Sequence, residues 1–225
     1  RTSIANFYNN RFNSSLYSEN EVVIGPGTKE LLFLLQLCFD GKFIICTPSW
    51  VSYINQNKVL NKEFYKLDNS ITNNYKIDLT ELENILQKEQ SIQKCLILNS
   101  PNNPTGAVYS KDELQQLAEL LRKYDTYVIS DEIYWMIHFD TQCESIVTYY
   151  PEKSILRCGI SKWCGGGGLR LGYFLFPKSM NDLKNKIIQV GSETYSCASA
   201  PIQYAAIDLY SNHNTYLPYI SKCTK

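Results

Sequence analysis

An α/β fold, built on a mainly parallel seven-stranded sheet with helices on both faces, is the architecture this sequence predicts. Seven short apolar runs alternate with helix-length amphipathic segments along the chain, the order expected of strands joined by crossover helices. Most of these runs lack the period-two alternation of a half-exposed strand, so they suit strands covered on both sides. The side chains best equipped for chemistry fall just after the C-terminal ends of such runs, where open α/β sheets bind their ligands.

The elements follow in order. Residues 1–20 read as an amphipathic helix, with Ile4, Phe7, Tyr8 and Phe12 on one side, leading into the domain. Strands are expected at 21–24, 43–46, 63–67, 95–99, 127–130, 155–160 and 173–176. Helices are expected at about 28–40, 50–58, 79–90, 110–124, 178–190 and 198–211. The segment 110–124 carries the fullest signature: Ser110 can cap, Glu113 completes a capping box, and Leu114, Leu117, Leu120 and Leu121 line one face. Residues 68–76, rich in Asn, Asp and Thr, read as a polar loop.

Size and composition narrow the function. A chain of 225 residues most simply makes one domain. Its 22 basic and 22 acidic residues balance, which points away from nucleic acid as a partner. No apolar run approaches the roughly 18 residues of a membrane span, and the greasiest stretch, 31–39, is interrupted by Gln36 and reads as a buried helix. Eight cysteines form no C-x-x-C pair, and several sit inside apolar runs. They are expected to be reduced thiols in a reducing compartment such as the cytoplasm. His138 and His213 are the two histidines, too few for a His-rich metal site, and each reads as structural or solvent-facing. No metal is expected.

The densest chemistry lies in Ile160-Ser161-Lys162-Trp163-Cys164, followed by four glycines and Leu169-Arg170-Leu171-Gly172. A lysine and an arginine separated largely by small residues suit a loop that holds a reactive amine near a phosphate. Gly25-Pro26-Gly27-Thr28-Lys29 opens an apolar helix whose free N–H groups suit an anion; it matches neither the P-loop nor G-x-G-x-x-G, because Glu30 replaces the third glycine. Asn102-Asn103-Pro104-Thr105-Gly106 follows strand 95–99, and Asp131-Glu132-Ile133-Tyr134 follows strand 127–130. Trp50 follows strand 43–46. Each could be a plain turn, cap or packing residue when taken alone.

Taken together, these motifs resemble the pyridoxal-phosphate-dependent aminotransferases of class I and II, the aspartate aminotransferase-like enzymes of fold type I. The resemblance implies that Lys162 is the catalytic residue and forms an internal aldimine with pyridoxal 5'-phosphate, its neutral form favoured by Arg170 and partial burial. It implies Asp131 at the ring nitrogen, Tyr134 and Asn103 at the ring hydroxyl, and Trp50 stacked on the ring. Gly27, Thr28, Lys29, Ser161 and Arg170 would form the phosphate cradle. Gly159 departs from the pattern, standing where many members carry a second phosphate-binding serine, and the bare glycine run suggests a flexible loop.

The implied activity is transfer of an amino group between an amino acid and a 2-oxo acid by a ping-pong mechanism. A lyase or synthase of the same fold shares these motifs, and a truncated cofactor-binding module without turnover is a further reading. The resemblance also implies a homodimer, with segment 192–201 as a polar loop reaching the partner. Residues 1–225 would be the cofactor-binding large domain, with the small domain, and its substrate-carboxylate arginine, beyond Lys225. A targeting segment would lie upstream of Arg1.

Overall fold

The computed structural model describes residues 1–139, 143–212, 214 and 216–223. Helix α1 (Thr2–Arg11) leads through a short turn into strand β1 (Val22–Gly25) and helix α2 (Thr28–Cys38). Strand β2 (Lys42–Thr47), helix α3 (Ser52–Val59), strand β3 (Phe64–Asp68) and helix α4 (Leu79–Leu86) follow. Next come β4 (Lys94–Asn99), α5 (Lys111–Lys123), β5 (Tyr127–Asp131), β6 (Ser154–Gly159) and β7 (Gly172–Leu175). Helices α6 (Asn181–Thr194), α7 (Ala200–Ser211) and α8 (Leu217–Cys223) close the described chain.

The strands form one seven-stranded sheet in the order β1-β7-β6-β5-β4-β2-β3. Only β7 runs against its neighbours; the β2–β3, β2–β4, β4–β5 and β5–β6 pairs are parallel. Every residue of β4, β6 and β7 is buried, which explains their largely apolar centres: both faces are covered. Successive residues alternate between the two faces of the sheet, which together carry three cores. Ile45, Ile97, Ile129 and Ile155 pack with Leu31, Leu35 and Ile187 from α2 and α6. Ile44, Leu96 and Val128 meet the leucines of α4 and α5, while Leu156, Cys158 and Tyr173 meet α1 and α7.

Helix α5 starts where the capping box places it: Glu113 N–H donates to Ser110 Oγ at 3.4 Å and Ser110 N–H to Glu113 Oε2 at 2.7 Å. Three expected segments end differently. The first helix stops at Arg11 rather than near 20, and Asn13 just beyond it takes a positive φ (46°). Helix α4 stops at Leu86 rather than near 90, because 87–90 offer only polar, exposed side chains with nothing to bury. Segment 192–201 is only partly a loop, since α6 runs through Thr194 and α7 begins at Ala200. Between the two helices the chain turns at Ser196, whose φ is positive (60°).

Seven cysteines are free thiols among the described residues. Burial pushes the thiol pKa of Cys46 up to about 12 and that of Cys143 up to about 11, so these behave as small apolar groups. His138 is half-buried, and His213 lies outside the described residues. Among the described residues no helix is long and apolar enough to cross a membrane, and no group of three or more metal-ligating side chains comes together.

The adjoining carboxylates Asp131 and Glu132 serve opposite sides of the sheet, as period-two geometry requires. Glu132, 2% exposed, pairs with Arg11 at 2.5 Å and accepts from Ser130 Oγ at 2.7 Å and from Ser145 Oγ. The Arg11 guanidinium also lies 3.8 Å from the Trp135 ring centroid. This ties α1 to the end of β5. Arg11→Ala strands a buried carboxylate, and its expected cost is about 3–5 kcal/mol of unfolding free energy. Urea denaturation of the purified variant, read against wild type, checks it.

Candidate active site

Thr28, Lys29, Trp50, Asn103, Asp131, Tyr134, Ser161, Lys162 and Arg170 line one cavity of about 420 Å³ beyond the C-terminal ends of the parallel strands. Gly27 sits just behind it, under the Arg170 guanidinium. The fold therefore brings every residue singled out from the sequence to one place.

At one end of the cavity, Gly27 adopts φ 99° and begins α2 with no side-chain cap, leaving first-turn N–H groups suited to an anion. A Cβ on Gly27 would lie 2.1 Å from Arg170 Nη2. That arginine, itself left-handed at φ 53°, donates to Pro26 O at 3.2 Å and Gly167 O at 2.8 Å. Gly159 and Gly172 are paired across β6 and β7. A Cβ at Gly172 would meet Thr28 N at 2.4 Å, and one at Gly159 would meet Leu171 O at 2.7 Å. Glycine at 159 thus follows from close backbone packing, which brings the α2 N-terminus down onto the sheet.

At the opposite end, Asn99 joins two motifs. Its Nδ2 donates to Asp131 O at 2.9 Å, and its Oδ1 accepts from Asn103 N–H at 2.8 Å. Asn103 Nδ2 in turn reaches Tyr134 Oη at 3.5 Å. Lys162 Nζ lies 5.7 Å from the centroid of the Tyr134 ring. The expected partial burial of Lys162 is not found: its side chain is exposed, because the glycines after it carry nothing to cover it. The glycine run itself is a hydrogen-bonded turn, with Gly165 N–H on Lys162 O and Gly166 N–H on Ile160 O, both at 3.0 Å.

Asp131, 1% exposed, has partners that the sequence reading missed. Tyr53 Oη donates to its Oδ2, Arg157 Nη1 pairs with the same oxygen, and Ile133 N–H reaches Oδ1 at 3.3 Å. Burial pushes the Tyr53 phenol up, so it remains a donor. Arg157 Nη2 continues to Thr28 Oγ1 at 2.9 Å. The Arg157 guanidinium and Lys29 Nζ each lie 5.2 Å from the Trp50 ring centroid. Two sequence signals were available: Tyr53 stands one helical turn after Trp50, and Arg157 is a lone charge inside the apolar run of β6.

A family model described as aminotransferase class I and II matches residues 1–223. The chain belongs to that family. Among curated relatives, the aspartate aminotransferase of Thermotoga maritima is 30% identical over 222 residues, covering 96% of this chain and 57% of its own length. The probable aspartate aminotransferase of Methanocaldococcus jannaschii is 29% identical over 212 residues, covering 92% and 55%. A solved aspartate aminotransferase from Thermus thermophilus superimposes with a TM-score of 0.89 at 23% identity, covering 99% of this chain and 57% of that one. The chain thus spans about half the length of the relatives it matches.

The donor set fits the cofactor of this family, pyridoxal phosphate: an uncapped helix end and an arginine for phosphate, hydroxyl and amide donors for the ring oxygen, an aromatic wall and a lysine. Gly27→Ala is expected to displace the Arg170 guanidinium and weaken pyridoxal phosphate binding on the order of 10-fold, the worth of about one charge-assisted hydrogen bond. Binding titrations with pyridoxal phosphate and with phosphate-free pyridoxal check this, since only the first should suffer.

Proposed function

We propose that this chain is the cofactor-binding large domain of an aminotransferase that moves an amino group between an amino acid and a 2-oxo acid. One observation carries the reading: Lys162, the Asn103–Tyr134 pair and Asp131 converge in a cavity whose far end is an uncapped helix N-terminus. The family membership and the relatives named as aspartate aminotransferases support it.

Pyridoxal phosphate, when bound, supplies an electron-withdrawing ring that stabilises negative charge on the substrate α-carbon. The chain supplies the rest. The N–H groups at the start of α2, Ser161 and Arg170 bind the phosphate. Tyr134 and Asn103 donate to the ring oxygen, and Trp50 walls the ring. Lys162 would hold the cofactor and, when free, would move the proton at the substrate α-carbon. Its exposure leaves it open to the incoming cofactor. Elimination would use the same residues, and no feature of the cavity favours it.

We also place this activity in a homodimer and in the cytoplasm. Helix α7 leaves Tyr204 (75%) and Ile207 (48%) exposed beside the loop 195–199, an apolar face suited to a two-fold contact. The free thiols agree with a reducing compartment.

Borohydride treatment of the protein with pyridoxal phosphate is expected to fix the cofactor's mass on the peptide containing Lys162, and Lys162→Ala is expected to abolish the adduct. Attachment at another lysine would remove the assignment. Sedimentation velocity with cofactor present tests assembly: twice the monomer mass is expected, and a monomer that binds cofactor fully would rule out a shared site.

A further inference from the structure

Lys162 is carried on a loop that has few side chains to hold it. Residues 165–168 are four glycines, and Lys162, Gly168, Leu169 and Arg170 are exposed. Three backbone bonds shape the turn: Gly165 N–H to Lys162 O, Gly166 N–H to Ile160 O and Leu169 N–H to Gly166 O, each 3.0 Å. Glycine loses more conformational freedom on ordering than any other residue, so a turn of this composition has little order of its own. Between Ser161 and Arg170 one side chain is fully buried, that of Trp163 at 1% exposure.

Lys162 lines the cavity, whereas Trp163, the next residue, enters the core shared with α1, β7 and α7. Its indole meets Tyr210 of α7 edge-on, with 5.9 Å between ring centroids, and Tyr216, just before α8, at 5.1 Å. Tyr210 Oη donates to Tyr173 Oη at 2.9 Å, and Tyr8 Oη lies 3.0 Å from the same oxygen, which ties the slot around the indole to β7 and α1. Tyr219 of α8 lies against the turn itself: a Cβ on Gly165 would come within 2.6 Å of its hydroxyl. The Trp163 Nε1–H has no hydrogen-bond partner among the described residues. Packing alone therefore holds the indole, against the cost of a buried, unsatisfied donor.

We propose that Trp163 is the positioning residue for Lys162: gripped by Tyr210 and Tyr216, it fixes the turn so that the lysine amine stays beside Tyr134 in the cavity. This deepens the cofactor-binding reading of the site and rests on it. Effective concentration is the quantity concerned. Condensation of the Lys162 amine with the cofactor aldehyde forms one C=N bond and releases one water, and its rate follows how often the amine occupies the reacting position. A lysine side chain is already a flexible four-carbon stem; a loose backbone beneath it multiplies the positions the amine samples. On the same reading the phosphate is gripped mainly by first-turn N–H groups of α2, which their own helix fixes. Trp163 thus governs bond formation rather than cofactor affinity.

Two ligands separate those quantities. Pyridoxal phosphate can condense with Lys162; pyridoxamine phosphate, with an amine in place of the aldehyde, cannot. Stopped-flow absorbance gives the rate of condensation with the first, and equilibrium titration gives the affinity for the second. Trp163→Ala is expected to slow condensation on the order of 10- to 100-fold, the cost of a misplacement near about 1 Å, with pyridoxamine phosphate affinity unchanged. Trp163→Phe keeps a ring in the slot and removes the orphan donor, so it should restore the rate. Tyr216→Ala removes one wall of the slot and should slow condensation in the same selective way.

Condensation at the wild-type rate in Trp163→Ala overturns the proposal, as does a Trp163→Phe variant equally slow. A matching loss of pyridoxamine phosphate affinity also overturns it, since that marks a merely structural role. If Trp163→Ala does not fold, Tyr216→Ala decides by the same two readings. Borohydride trapping on the wild-type protein separates the levels. No cofactor on Lys162 sinks the cofactor reading and this inference together, whereas trapped cofactor whose condensation ignores both substitutions sinks this inference alone.

Discussion

A carboxylate and a guanidinium face one another across two neighbouring parallel strands, both almost wholly out of water, and the cavity is arranged around them. Asp131 ends β5, and Arg157 sits opposite it on β6. Neither could be tolerated alone at that depth. Arg157 carries the link on to Thr28 and thus to the first turn of α2, while Tyr53 brings in α3. One buried pair therefore connects the two ends of the cavity and four of the elements that frame it.

Close backbone approach sets the other end. Gly159 and Gly172 leave no Cβ between β6, β7 and the start of α2, so the helix N-terminus sits directly against the sheet. Gly27 then leaves room for Arg170 to lie across the turn. This corner presents backbone N–H groups and one guanidinium rather than a row of hydroxyls. That accounts for a glycine where many family members use serine.

The sheet also sorts neighbouring residues into separate tasks. Asp131 faces the cavity, and Glu132, the next residue, faces the opposite core, where Arg11, Ser130 and Ser145 hold it. Two adjacent acids of the same local sequence thus do unrelated work: one orders a binding site and the other fastens the N-terminal helix. Alternation across a strand end is enough to separate them.

The architecture was legible in the sequence because it depends on local pattern. Strand runs buried on both faces stay largely apolar, helices show their period, and Ser110 with Glu113 announces the start of α5. The cavity residues were legible because reactive side chains at strand ends have few other uses once they occur together. What the sequence could not decide depends on which residues meet across strands. Arg157 reads as an isolated charge in an apolar run until parallel pairing sets it against Asp131, and Tyr53 reads as helix packing until α3 turns it onto the same oxygen. The exposure of Lys162, likewise, follows from the path of the glycine turn rather than from its composition. Local periodicity determined the fold, and motifs at strand ends, with the family they resemble, named the candidate residues; the charge environment of the site was decided only by tertiary register, because electrostatic partners are set by distance in space and burial, not by separation along the chain.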